Sequence, residues 1–123
     1  MSKPINEILK PGAGVKINGS LWLESADGRF LGPGPIELLG RIAETGSIRA
    51  AAKQMQMSYK KAWELIDHLN AQCTAPIVIP QAGGKKGGGS ELTPEAMELI
   101  KYHQGLRKRF AAFLEKETQS LKL

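Results

Sequence analysis

Ser58, Tyr59, Lys60 and Lys61 stand in succession just ahead of an apolar pattern of helical period. Their hydroxyl and ammonium groups are donors, suited to phosphate oxygens and to the edges of bases. Ser58 has the side chain of an N-cap, so a helix is expected from Tyr59 to about Cys73. Behind the donors, Ala62, Trp63, Leu65, Ile66 and Leu69 recur at helical spacing and are expected to face inward, with Trp63 as a core anchor. Tyr59 either stacks on a sugar or covers the turn before it. A second pair of donors, Lys85 and Lys86, lies within Gly83-Gly84-Lys85-Lys86-Gly87-Gly88-Gly89. Glycines at that density let a backbone approach phosphates closely and disfavour a helix on entropic grounds.

These donors need elements to hold them. Upstream, Ser47 can N-cap a short helix of roughly Ile48–Met55, whose Ala50, Ala51 and Ala52 form a small face for close helix approach. Gln56 and Met57 make the turn. Thr45–Trp63 therefore reads as a helix-turn-helix, with Ser47, Ser58, Tyr59, Lys60 and Lys61 as its candidate DNA contacts. Two short amphipathic helices joined by a tight turn also occur in helical proteins that bind no DNA, so the flanking elements carry weight. Pro76-Ile77-Val78-Ile79-Pro80 is a short β-branched run and reads as a strand. Ser90-Glu91-Leu92 can return as its partner. A hairpin directly after a helix-turn-helix is a wing, and its tip, if not simply a solvated loop, brings Lys85 and Lys86 to a phosphate or the minor groove.

On the N-terminal side, Val15–Leu31 reads as a small β-meander. Val15 and Ile17 alternate into Leu21 and Leu23, with Asn18-Gly19 and Asp27-Gly28 as hairpin turn signals. Met1–Gly14, with two prolines and two glycines, reads as an arm with one helical turn at Asn6–Lys10. Gly32-Pro33-Gly34-Pro35 breaks the meander and opens a helix with Pro35 at its first position. Ile36, Leu38, Leu39, Ile42 and Ala43 form its buried stripe, and Gly46 its stop. Thr93-Pro94-Glu95 starts a last helix running to about Glu117. Leu99, Leu106, Phe110 and Phe113 lie along one side of it. A stripe this wide, with His103 beside it, points to a twofold dimer partner, although ordinary core packing must account for its first half. Gly105 there allows either a close backbone approach or a bend.

The fold expected is thus α+β and mainly helical: a winged helix-turn-helix with an N-terminal β-meander and a long C-terminal helix. Residues 1–14 form an arm, 15–93 the DNA-binding part, and 94–123 the dimerisation helix of the same domain. With 17 Lys and Arg against 12 Asp and Glu, the formal charge is +5, which fits a nucleic-acid partner and also plain solubility. Cys73, the one cysteine, excludes an internal disulfide and reads as a small buried hydrophobe. No apolar run is long enough to span a membrane and no secretory signal is present, so a soluble cytoplasmic protein is expected.

Enzyme motifs fail on inspection. The glycine-rich tip lacks the order of a phosphate-binding loop, and no dinucleotide fingerprint follows a strand. His68 and His103, the two histidines, lie far apart without ligand spacing, so no metal, cofactor or catalytic set is expected. His68 is expected on the solvated face of its helix.

Glu44-Thr45-Gly46-Ser47-Ile48, Ala51-Ala52, Met57-Ser58-Tyr59-Lys60-Lys61-Ala62-Trp63, the glycines of the tip and Leu92-Thr93 resemble the N-terminal DNA-binding domain of ModE-type molybdate-dependent transcriptional regulators. A looser similarity to LysR-type regulators covers the helix-turn-helix alone. The resemblance spans roughly residues 15–115. It implies a homodimeric winged helix on double-stranded operator DNA. Where the family often has Arg-Arg, this chain has Lys60-Lys61. Lysine cannot make arginine's two-pronged pair with guanine, which implies a different base preference. The family's effector sits in domains beyond the long helix, and this chain stops at Leu123. It is therefore expected to lack molybdate sensing of its own and to be constitutive or controlled by dimerisation or a partner protein. The alternative reading is a winged-helix protein-interaction module without specific DNA binding.

Overall fold

The computed structural model describes residues 3–80 and 89–121. The element order is α1 (Ile5–Ile8), β1 (Leu23–Ser25), β2 (Gly28–Leu31), α2 (Pro33–Thr45), α3 (Ile48–Gln54), α4 (Tyr59–Ala71), β3 (Val78–Pro80), β4 (Ser90–Leu92) and α5 (Pro94–Gln119). The chain forms two compact units, Leu21–Tyr102 and a second made of Met1–Ser20 with His103–Leu123.

The unit Leu21–Tyr102 contains the hydrophobic core. Leu31, Leu38, Leu39, Ile42, Ile66, Leu69 and Ile77 are almost wholly buried, with Ala51, Ala52, Ala62 and Ala96 among them. The three alanines at the α3–α4 contact explain how two short helices pack closely: no larger side chain holds their backbones apart. Ala43, expected in the α2 stripe, is exposed; Leu38, Leu39 and Ile42 suffice to cover that side.

The expected meander is a single hairpin. β1 pairs antiparallel with β2, with Leu23 opposite Leu31, Glu24 opposite Arg29 and Ser25 opposite Gly28. Ala26 and Asp27 make the turn; the Ser25 hydroxyl accepts from the Asp27 N–H at 3.1 Å, and Gly28 takes φ +108°. Val15–Ser20 forms no strand. Its residues are exposed, and among the described residues no strand lies alongside to pair with it. Asn18-Gly19 is not a hairpin turn: the Asn18 side chain accepts from the Gly19 N–H at 2.9 Å.

α2 begins two residues before the expected start, with Pro33 at its first position and Gly32 as N-cap. Both prolines are tolerated because the first N–H groups of a helix have no intrahelical acceptor. Gly32 is also closely packed, since a Cβ there would lie 3.2 Å from the Cβ of Trp22. The helix stops at Gly46, φ +70°, whose N–H donates to Ile42 O at 2.8 Å.

β3 pairs antiparallel with β4, with Val78 opposite Leu92 and Pro80 opposite Ser90. Two side chains place this hairpin. The Asn70 carboxamide oxygen, in the last turn of α4, accepts from Ile77 N–H at 2.8 Å. Thr93 donates its hydroxyl to Pro76 O at 2.8 Å and accepts from Ala96 N–H at 3.2 Å, so it caps α5 and holds it to the base of the hairpin.

In the second unit the Ile17 N–H donates to Thr118 Oγ1 at 2.8 Å. A Cβ on Gly19 would lie 3.3 Å from the ring of Phe110. These contacts seat the extended N-terminal segment on the last turns of α5. Among the described residues no helix is long and apolar enough to cross a membrane.

Candidate nucleic-acid interface

The candidate surface is the junction of α3 and α4. Ser47 caps α3 by accepting from Ala50 N–H at 3.0 Å. Ahead of it, the Thr45 hydroxyl donates to Arg41 O at 2.7 Å and accepts from Ser47 N–H at 3.2 Å, which holds the α2–α3 corner. α3 ends in a Schellman turn: Met57 N–H donates to Ala52 O at 3.0 Å and Gln56 N–H to Lys53 O at 3.1 Å. Gln56 sits at the left-handed position of that motif with φ +56°, a backbone conformation costing an L-residue about 1 kcal/mol.

Ser58 then caps α4 by accepting from Lys61 N–H at 3.0 Å. Ala62, Ile66 and Leu69 are buried, and Ser58, Tyr59, Lys60 and Lys61 are exposed. The first turn therefore presents two hydroxyls and two ammonium groups while the helix is held by its other side. Ser47 and Ser58 each spend one acceptor lone pair on a cap and keep the hydroxyl proton for an outside acceptor.

Trp63 is not a core anchor. It is 37% exposed, and its ring meets that of Tyr59 edge to face, with centroids 6.2 Å apart. It follows Ala62 by one residue, about 100° around the helix, and the core closes over Ala62, Ile66 and Leu69 without reaching that far. Tyr59 is 40% exposed and carries the guanidinium of Arg49, from α3, 4.2 Å above its ring centroid. Arg49 is not among the contacts expected from sequence. The spacing of Arg49 and Tyr59 shows no helical period because a turn lies between them.

Lys85 and Lys86 lie outside the described residues. His68 is half-buried. Cys73 is half-buried against the core, and that burial raises its thiol pKa.

Of the expected dimer residues, Leu99 packs on the core, Leu106 and Phe110 are half-buried, and Phe113 is 56% exposed. His103 is fully buried, so it offers no surface to a second copy. Neither ring nitrogen has a hydrogen-bond partner among the described residues, and burial, with Arg107 nearby, lowers its pKa. At Gly105 the nearest atom to an added Cβ, among the described residues of this chain, would be Arg109 Nη1 at 3.3 Å, so no backbone of the same chain approaches it closely there.

Helix-turn-helix and antiparallel hairpin in direct succession define a winged helix-turn-helix protein. The model of the bacterial regulatory helix-turn-helix proteins of the lysR family matches residues 35–97, from α2 into α5, and the chain belongs to that family. It is 38% identical over 96 residues to the molybdenum-pterin-binding protein MopB of Rhodobacter capsulatus, covering 78% of this chain and 36% of that protein. It is 34% identical over 99 residues to the molybdenum transport protein ModE of Azotobacter vinelandii, covering 80% and 37%. With the DNA-binding transcriptional dual regulator ModE of Escherichia coli K12 it shares 43% identity over 75 residues, covering 60% and 28%. The chain thus spans 28–37% of the length of these relatives.

Proposed function

We propose that the chain is a sequence-specific double-stranded DNA-binding transcriptional regulator of ModE-like type. The observation that carries this reading is the first turn of α4. Ser58, Lys60 and Lys61 are exposed together there, while Ala62, Ile66 and Leu69 fasten the same helix to the core. That is the arrangement by which a recognition helix enters a major groove. Lys85 and Lys86, which lie in sequence between β3 and β4, add affinity through phosphates. A dimeric helix-turn-helix matches a twofold-related operator, and a homodimer in which the exposed Phe113 takes part supplies that axis.

The same reading assigns effector control to a partner protein or to dimerisation rather than to an anion site on this winged helix. A selective oxyanion site needs donors that converge in a sheltered place. Among the described residues the buried polar side chains are Thr93, His103 and Thr118. Within the second unit His103 and Thr118 are separated by a rise of about 22 Å along α5, and Thr93 belongs to the other unit.

The test is selection of bound sites from random duplexes, followed by a salt titration on the selected site with and without molybdate. A regulator is expected to yield a twofold-related consensus and a steep fall of affinity with salt, unaltered by the anion. Weak binding to every duplex would instead fit a protein-interaction module.

A further inference from the structure

We infer that Arg49 is a phosphate contact of the duplex-binding surface, and that Tyr59 is the residue that positions it. The inference rests on the duplex-binding reading above and adds to it a residue on α3.

Three observations carry it. The Arg49 guanidinium lies over the Tyr59 ring at 4.2 Å, and the ring is itself braced edge to face by Trp63 at 6.2 Å and 84°. A guanidinium drawn over a ring face is restrained in position while its N–H groups remain available to an outside acceptor. Those donors are unspent: among the described residues Arg49 takes part in no hydrogen bond or ion pair, whereas Arg41 gives Nε to Glu37 at 2.8 Å and Nη1 to Gln54 at 3.0 Å. Finally, Arg49 and Tyr59 are both exposed, and Tyr59 is the first residue of α4, followed directly by the exposed Lys60 and Lys61.

A planar fork with unspent donors, held against the residue that precedes two further cations, fits the two oxygens of a phosphodiester, to which arginine binds through paired hydrogen bonds. This gives Tyr59 a role beyond the two open to it from sequence. One face of its ring is occupied by Arg49, so its contribution is to hold the arginine, and a phenyl ring serves as well as a phenol.

The experiment measures binding of the full chain to a fluorescently labelled mixed-sequence duplex across a salt series. Arg49→Ala, Arg49→Lys, Tyr59→Phe, Tyr59→Leu and the Arg49→Ala/Tyr59→Leu pair are compared, with thermal unfolding run on each. Arg49→Ala is expected to weaken binding about tenfold at low salt and to make the salt slope shallower by about one unit. Arg49→Lys is expected to lose most of the same affinity, because lysine keeps the charge without the fork. Tyr59→Phe is expected to bind as the parent does, Tyr59→Leu to approach the loss of Arg49→Ala, and the pair to lose no more than Arg49→Ala alone. Parental binding by Arg49→Lys, or an unchanged slope in Arg49→Ala, would overturn the inference. Should Tyr59→Leu fail to fold, the Arg49 variants still decide the phosphate contact, and a loss of affinity in Tyr59→Phe would overturn the positioning role given to the ring. Lys60→Ala/Lys61→Ala separates the two levels. If that variant loses affinity and Arg49→Ala does not, only the role of Arg49 falls; if neither loses affinity, the duplex-binding reading falls with it.

Discussion

The Ser90 N–H donates to Gly46 O at 2.9 Å, tying the strand that returns from the wing to the residue that ends α2. Gly46 therefore serves both halves of the motif. It turns the chain into α3 with φ +70°, and its carbonyl fixes where β4 begins.

Gly46→Ala is expected to destabilise the fold by about 1–2 kcal/mol, because an L-residue is strained at that φ. Denaturant unfolding measures the loss. An unchanged midpoint would mean that the corner relaxes freely, and the Ser90 link would then carry no positional weight.

Lys60 and Lys61 separate base reading from charge. Lys60→Ala is expected to cost about 1–3 kcal/mol of operator affinity if the side chain reads a base, with relaxed choice at one position. A residue that meets only phosphate weakens all duplexes alike and reduces the salt slope by about one. Competition between selected and random duplexes distinguishes the two. If both lysines can be replaced with no change in affinity, α4 does not dock by its first turn.

The helix-turn-helix is legible in the residues because caps are local chemistry. Ser47 and Ser58 each accept from the backbone three residues on, as their types imply. The hairpin of β3 and β4 is legible for the same reason, from a β-branched run and its return. Val15–Leu31 misleads because alternation signals a strand only if another strand is present to pair with it. Val15 and Ile17 alternate, yet both are more than a third exposed, and the Ile17 N–H finds its acceptor on Thr118, 101 residues away. Arg49 escapes a reading of sequence because its partner lies across a turn, where no period links the two. Trp63 misleads because a helical stripe can be drawn wider than the core that covers it.

Trp63→Ala accordingly carries a changed expectation. Truncating a fully buried aromatic costs about 3–5 kcal/mol. At 37% exposure, with an edge-to-face neighbour as its named contact, Trp63 is expected to cost well below that range. The thermal midpoint is the measurement. A loss of about 4 kcal/mol or more, in the range of a full aromatic truncation, would restore the indole to the core.

Gly105 lies in the interior of α5, where glycine is about 1 kcal/mol less favourable than alanine. The atom nearest to an added methyl is the end of the flexible Arg109 side chain, which can swing away. Gly105→Ala is therefore expected to raise stability by about 0.5–1 kcal/mol. A loss would show that the helix needs the glycine for a bend or for a contact with a second copy, and sedimentation of the variant would identify which.

His103 gives the fold a pH dependence of defined sign. Burial disfavours the imidazolium and the Arg107 guanidinium adds to it, so the folded-state pKa lies below the ordinary 6.5. Above about 6.5 the ring is neutral in both folded and unfolded chains, and the stability it permits is fully present. As pH falls below that value the unfolded chain takes up a proton that the folded chain does not, and stability is lost until the folded value is passed. Denaturant midpoints measured from neutral to mildly acidic pH are expected to fall. His103→Leu is expected to flatten that part of the profile and to keep or raise stability at neutral pH, since it removes two ring nitrogens that have no partner among the described residues. A profile that keeps its slope in the leucine variant would assign the acid sensitivity to the carboxylates. A large loss at neutral pH would show that His103 makes a hydrogen bond after all.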